Sequence, residues 1–264
     1  MQELEKSQFF TTETAPFQGL HFITVKSNAL KKRADLTVYA LQNTEGVLPI
    51  VILLHGVYGS HWAWAMKGKV HETAQKLIDD GQIKPMLLVM PSDGLYADGS
   101  GYVPHKTENY EQWIVEDVVQ VVKEQFTQAT DESPVFITGL SMGGFGALRL
   151  GAKYPSVFRA FSGLSSITHF NQIGEFVVDF KQLQEDALEQ DGVLDWILKN
   201  KDILPPFRFD CGSEDILIEH NRQLHFDLEK NQIPHIYQEF SGVHSWDYWA
   251  EHIAETLLFF NQFC

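Results

Sequence analysis

Residues 139–143 read Gly-Leu-Ser-Met-Gly and constrain the fold more than any other stretch of the chain. They follow the apolar run Val135-Phe136-Ile137-Thr138 and lead into Gly144-Phe145-Gly146-Ala147-Leu148. The pattern is a strand, a tight turn and the start of a helix. A G-x-S-x-G turn in that setting lifts a serine out of a sheet on a strained corner and exposes its hydroxyl. Glycine fits at 139 and 143 because a side chain there would crowd the turn. Gly143, Gly144, Gly146 and Ala147 let the following helix lie close to its strand.

The rest of the chain alternates in the same way. Strands are predicted over Leu20–Lys26, Asp35–Leu41, Pro49–Leu54, Pro85–Met90, Val135–Thr138, Val157–Leu164, Phe207–Cys211 and His235–Phe240. The first two form an antiparallel edge hairpin around the basic turn Lys31-Lys32-Arg33. Pro49–Leu54 is apolar throughout, as a strand buried on both faces must be. Helical stripes lie at Val70, Ala74, Leu77 and Ile78, and at Tyr110, Ile114, Val118, Val121 and Val122. Further helices are expected over Gly144–Tyr154, from about Leu217 and from about Asp247. Residues 165–204 have weak periodicity. They are expected to form helices crossing the top of the sheet, a cap-like insertion that shapes the site.

Strands alternating with helices imply an α/β fold, a mostly parallel eight-stranded sheet with helices on both faces. The 264 residues, 44% hydrophobic and 21% charged, suit one domain over 1–264. Sites in such folds lie at the carboxyl ends of strands. The loops after residues 54, 90, 140, 211 and 240 should therefore face one crevice.

A serine hydroxyl needs a base, usually histidine, and a carboxylate to orient that base. In a nucleophile-elbow fold the chain order is Ser, then Asp or Glu, then His. Of the histidines after 141, His244 sits in a strand-end loop, Ser241-Gly242-Val243-His244-Ser245-Trp246. His169 lies in the crossing segment; His220, His225, His235 and His252 lie on predicted helices or a strand. Asp215, in the loop Cys211-Gly212-Ser213-Glu214-Asp215, is the best-placed acid. Its rivals are Asp210, still in the strand, and Glu214; a helix N-cap is its structural alternative. Oxyanion donors are expected from the backbone N–H groups of Met142 and Val57. His55 is read as a support of that loop. Tyr58, Trp62 and Trp64 are candidate substrate contacts, whereas Trp246, Tyr248 and Trp249 are assigned to locking the last helix onto the sheet.

These segments together, from Leu54-His55-Gly56 through the serine turn to Cys211–Asp215 and His244-Ser245-Trp246-Asp247-Tyr248-Trp249, resemble the Putative esterase (esterase D-like) family over about residues 35–260. The resemblance implies an α/β-hydrolase fold, a triad of Ser141, Asp215 and His244, and no cofactor. The phrase Gly-Leu-Ser-Met-Gly-Gly-Phe-Gly-Ala-Leu is most similar to the tributyrin esterase branch. It implies hydrolysis of short-chain acyl esters through an acyl-enzyme. The alternatives are an acetyl-xylan or feruloyl-type carbohydrate esterase and an S-formylglutathione hydrolase. Leu140, Phe145 and His55-Gly56-Val57-Tyr58-Gly59 depart from the pattern of the last. A lyase or perhydrolase using the same triad, or a non-catalytic binding or scaffold protein, would fit less well, since no triad position is degenerate.

Other functions are disfavoured by composition. A net charge of −15 repels nucleic-acid backbones and anionic membranes, so the expected partner is a small-molecule ester; a homo-oligomer is left open. Eleven histidines include no H-x-x-x-H pair with a glutamate and no paired-cysteine motif, so no metal site is expected. Two cysteines, no basic-then-apolar leader and no long apolar run point to a cytoplasmic protein.

Overall fold

The computed structural model describes residues 19–41 and 44–264 and the backbone of 8–14. The strands are β1 (Gln8–Thr14), β2 (Leu20–Lys26), β3 (Arg33–Tyr39), β4 (Ile50–Leu54), β5 (Leu87–Pro91), β6 (Val135–Gly139), β7 (Phe158–Leu164), β8 (Phe207–Gly212) and β9 (Ile236–Phe240). The helices are α1 (Ala63–Met66), α2 (Val70–Asp79), α3 (Tyr110–Gln112), α4 (Val119–Gln125), α5 (Met142–Lys153), α6 (Phe180–Asp186), α7 (Val193–Lys199), α8 (Ile218–Lys230) and α9 (Trp246–Asn261).

All described strands join one sheet in the order β1-β2-β3-β5-β4-β6-β7-β8-β9. Pairing is parallel from β5 to β9 and antiparallel among β1, β2, β3 and β5. The eight expected strands are all present, with one addition. β1 pairs outside the hairpin, so β2–β3 is not the outermost part of the sheet. The central strands β4, β5 and β6 are buried at every position, which is why they read as unbroken apolar runs.

Helices cover both faces. On one, Phe145 and Leu148 of α5 share an apolar cluster with Val118 and Val121 of the 110–125 helix and with Leu224 and Leu228 of α8. On the other, Val70, Ala74 and Leu77 of α2 meet Ile253, Leu257 and Phe260 of α9, and Phe260 stacks on Phe136 at 4.9 Å. The stripe Tyr110 to Val122 forms as a helix interrupted by a π turn over Trp113–Val118. Nothing in a 3.6-residue pattern announces that widening. Both Glu111 and Asp117 point inward around it. No described helix is long and apolar enough to cross a membrane.

The segment 165–204 contains a 3₁₀ helix over Phe170–Glu175, then α6 and α7. It docks on the loop that follows β5: the Tyr96 hydroxyl donates to Asp186 at 2.7 Å, and the Leu188 amide to the Pro104 carbonyl at 2.8 Å. A largely buried charge network anchors it at Glu189, between α6 and α7. Arg149 and Lys153 of α5 both bridge Glu111 and Glu189. Burial pushes the Glu111 carboxyl up, but Arg149, Lys153 and Tyr154 outweigh it and hold the group below its ordinary value.

Removing one partner of a buried pair leaves the other charge uncompensated. Glu111→Gln should therefore cost about 3–5 kcal/mol, read as a drop in Tm on the order of 10 °C. The Glu111 pKa is lower folded than unfolded. Its stabilisation is therefore complete above about pH 4.3 and is lost as pH falls through the lower folded value. Unfolding curves of wild type and variant should converge in acid; parallel curves down to pH 2 would contradict the assignment.

Candidate active site

Ser141 sits where β6 turns into α5, with φ 54° and ψ −119°. Such a conformation costs roughly 1–3 kcal/mol and persists only when its surroundings over-determine it. They do so here. The Ser141 amide donates to the Leu164 carbonyl at 3.0 Å, and its carbonyl accepts from the amides of Phe145 and Ile167. A Cβ on Gly143 would lie 2.4 Å from the Leu54 carbonyl oxygen, and one on Gly139 would lie 2.3 Å from the Gly143 oxygen. The two glycines of the motif are thus steric requirements of the turn.

The other two expected residues come to the same place. His244 Nε2 lies 3.0 Å from Ser141 Oγ, and His244 Nδ1 lies 3.0 Å from both carboxylate oxygens of Asp215. A carboxylate accepts only, so Nδ1 carries the proton and Nε2 presents a lone pair to the serine hydroxyl. Asp215 is buried and also accepts from the Leu217 amide at 2.8 Å. Burial pushes its carboxyl up, yet the contacts with His244 and Leu217 outweigh this and keep it below the ordinary range. The rivals lie elsewhere. Asp210 pairs with Arg208 at 2.9 Å and accepts from the Tyr248 hydroxyl, and burial pushes its carboxyl up to about 6. Glu214 accepts from the Gly242 amide. The imidazole of His244 is held between rings, stacked on Phe176 at 5.6 Å and edge-on to Trp249 at 4.9 Å.

The loop after β4 lies beside the serine: a Cβ on Gly56 would be 3.4 Å from Ser141 Cβ. The Tyr58 amide donates to Asp98 and the Gly59 amide to Gly56, whereas the Val57 amide has no described backbone acceptor. The Met142 amide opens α5, where first-turn N–H groups have no partner within the helix. His55 is buried and supports this loop. Its Nδ1 donates to the Gly56 carbonyl at 2.7 Å and its Nε2 accepts from the Asp93 amide at 2.9 Å. Burial lowers its pKa, which favours the neutral ring that these bonds need.

A cleft of about 450 Å³ opens over these groups. Val57, Tyr58 and Trp62 line it, as does Ser141. Trp64 does not. It is 1% exposed, donates from its indole N–H to the Leu54 carbonyl at 2.9 Å and meets Trp246 edge-on. Trp62 and Trp64 fall on opposite sides of the short helix α1, two residues apart and about 200° around its axis. Trp246 and Trp249, read from sequence as packing residues in preference to substrate contacts, line the cleft as well as packing on each other.

Sequence reasoning missed several lining or supporting residues. Phe176 and Lys67 line the cleft, and Asp93 organises the loop after β5 by accepting from the amides of Leu95 and Ser100. Gly99 lies against the side chains of Met142 and Val57, the two residues expected to donate to the oxyanion. The Asp-Gly-rich composition of 91–105 marked a loop, but not its role as a brace.

The two tryptophans of α1 should separate cleanly. Trp64→Ala should cost about 3–5 kcal/mol of stability. Trp62→Ala should stay within about 1 kcal/mol of wild type while changing KM for bulky esters. Equal losses of Tm would show that both are packing residues.

The family described as "Putative esterase" matches residues 27–260. An acetyl esterase of Caldicellulosiruptor saccharolyticus is 25% identical over 228 residues, 79% of this chain and 82% of that protein. Among solved structures, a ferulic acid esterase superposes with a TM-score of 0.81 at 22% identity, covering 98% of this chain and 99% of its own. An S-formylglutathione hydrolase from Agrobacterium tumefaciens gives 0.78 at 17% identity, covering 97% and 99%. At such identities these structures speak for the α/β-hydrolase fold. The match over nearly the whole chain makes this protein a member of the Putative esterase family and a carboxylic ester hydrolase.

Proposed function

We propose that the chain is a serine carboxylesterase for short-chain acyl esters, with Ser141 as nucleophile, His244 as general base and acid, and Asp215 as its orienting carboxylate. The observation that carries this reading is the unbroken series of 3.0 Å contacts from Asp215 through His244 to a serine on a strained elbow.

Ser141 Oγ attacks the ester carbonyl carbon while its proton passes to His244 Nε2. The carbonyl oxygen becomes an oxyanion, received by the Val57 and Met142 amides. Donors already aimed at that oxygen need no reorganisation as charge develops. The tetrahedral intermediate collapses, the C–O bond to the alcohol breaks, and the alkoxide takes the proton from His244. Water, deprotonated by His244, then attacks the acyl-enzyme, and the acid leaves as Ser141 regains its proton. Asp215 stabilises the imidazolium formed in both halves and holds the productive tautomer. No step calls on a cofactor or metal.

The short-chain preference, acetyl to butyryl, rests on the tributyrin-type serine motif and on bulky side chains, Phe176, Trp246 and Trp249, in the lining of the cleft. Phe176 comes from the segment 165–204, which on this reading shapes the acyl side. A second reading has its own support. Trp62, Trp246 and Trp249 give the cleft an aromatic wall, and faces of that kind stack on sugars and phenolic rings. A sugar acetate or feruloyl ester would use them. The acidic surface would slow anionic glutathione thioesters.

Ser141→Ala should lose about four or more orders of magnitude in kcat with the fold retained. A fluorophosphonate should add once, at Ser141. Asp215→Asn should cost about 10⁴ in kcat, whereas Asp210→Asn should change stability and leave kcat nearly intact. Near-normal turnover by Ser141→Ala would overturn the mechanism. For substrate class, kcat/KM is compared across p-nitrophenyl acetate, butyrate and decanoate, acetylated xylo-oligosaccharide, methyl ferulate and S-formylglutathione. Acetate and butyrate should lead. A lead of about a hundredfold for S-formylglutathione, roughly 2.7 kcal/mol in transition-state binding, would move the chain to the thioester branch.

A further inference from the structure

Outside the cleft, the described residues bring three metal-ligating side chains together: His225, Glu229 and His235, whose ligand atoms all lie within 4.8 Å of one another. His225 and Glu229 are one turn apart on α8, so they share a face. His235 immediately precedes β9. The whole length of β9 separates it from His244, which follows the other end of that strand.

The two imidazoles are already arranged as ligands. His235 Nδ1 lies 2.7 Å from the Ile233 carbonyl oxygen, which can only accept, so Nδ1 carries the proton and Nε2 is bare. That Nε2 faces His225 Nδ1 at 2.8 Å. A backbone carbonyl fixing one ring nitrogen while the other points into a site is how metal-bound histidines are commonly oriented. Neither ring is loose. His235 stacks on Phe207 and Phe209, and His225 stacks on Tyr237 at 4.8 Å.

We propose that His225, Glu229 and His235 form a binding site for a zinc-class divalent cation, a clip between α8 and the start of β9 that is separate from the ester-cleaving cleft. Two imidazoles and one carboxylate suit zinc or its first-row neighbours better than calcium or magnesium. With metal–nitrogen distances of about 2.0–2.1 Å, two ligands of a tetrahedral ion lie about 3.3 Å apart. The rings need open by only about 0.5 Å from their present contact. The proton that His225 Nδ1 now shares with His235 must leave before that nitrogen can bind metal. The Nδ1–H bond breaks and an Nε2–H bond forms on the same ring, so the imidazole stays neutral. Water completes the shell on the side of exposed Glu229.

The test titrates chelator-stripped full-length protein with zinc chloride by calorimetry and follows thermal unfolding. One equivalent should bind. At a hundredfold excess over its Kd, zinc should raise Tm by about 5 °C or more. Cobalt(II) should give the intense visible absorption of a tetrahedral site. His225→Gln and Glu229→Gln should each weaken binding by at least about a hundredfold and leave p-nitrophenyl acetate hydrolysis within twofold of wild type without added metal. Glu229 is exposed, so its variant stays informative if His225→Gln folds poorly. Absence of one-to-one binding, wild-type affinity in Glu229→Gln, or zinc acting only as an inhibitor competitive with ester would each overturn the proposal.

Discussion

Everything at the cleft depends on how closely the first turn of α5 approaches the backbone of β4. Gly143 meets the carbonyl oxygens of Leu54 and His55 at distances that no side chain allows, 2.4 and 2.5 Å from where its Cβ would be. That contact forces the chain to leave β6 through a residue with φ 54°. The residue in that position is a serine, so its hydroxyl stands proud of the sheet instead of lying in a helix or strand. The strain is held by main-chain bonds to Leu164 and Ile167, at and just after the end of β7, and to Phe145 in the first turn of α5. Bonds from two separate elements are a direct way for a fold to keep a costly conformation.

The same approach places the end of β4 beside the serine. The loop after β4 could not hold its shape alone, because Tyr58 is itself at φ 61°. It is braced from the loop after β5. His55 bridges to Asp93, Tyr102 donates to the His55 carbonyl at 2.9 Å, and Gly99 sits against Val57 and Met142. Leu95, Ala97 and Tyr102 in that brace also have positive φ. Conformational strain therefore concentrates around the two amides proposed to receive the oxyanion. The crossing segment adds a roof. The Tyr58 hydroxyl donates to the Phe176 carbonyl at 2.6 Å, and the Phe176 ring stacks on His244. The proposed base is thereby oriented by Asp215 from below and by two aromatic rings at its sides.

Much of this was readable without coordinates, and for identifiable reasons. Local spacing encodes local geometry. The glycines of 139–146 specify the elbow, unbroken apolar runs specify buried parallel strands, and chain order at strand ends singled out Asp215 and His244 from their rivals. Each of these signals is carried by residues within a few positions of one another. Trp62 and Trp64 show where that reach stops. Both are tryptophans in one short loop, and only the direction of α1 decides that the first lines the cleft and the second donates to Leu54 inside the core.

The sequence by itself thus determined the alternation of strands and helices, the strained serine and the polar residues beside it in strand-end loops. These follow from steric rules acting over a few bonds and from hydrophobic periodicity. Only the tertiary structure decided which side chains meet across the sheet. The ninth strand at the antiparallel edge, the π turn within 110–125 and the cleft walls from Phe176 and Trp249 all depend on packing partners remote in the chain. So does the meeting of His225 with His235, ten residues apart on a helix and the start of a strand. Contacts of that kind are chosen by how layers fit together, and a linear pattern carries no record of that fit.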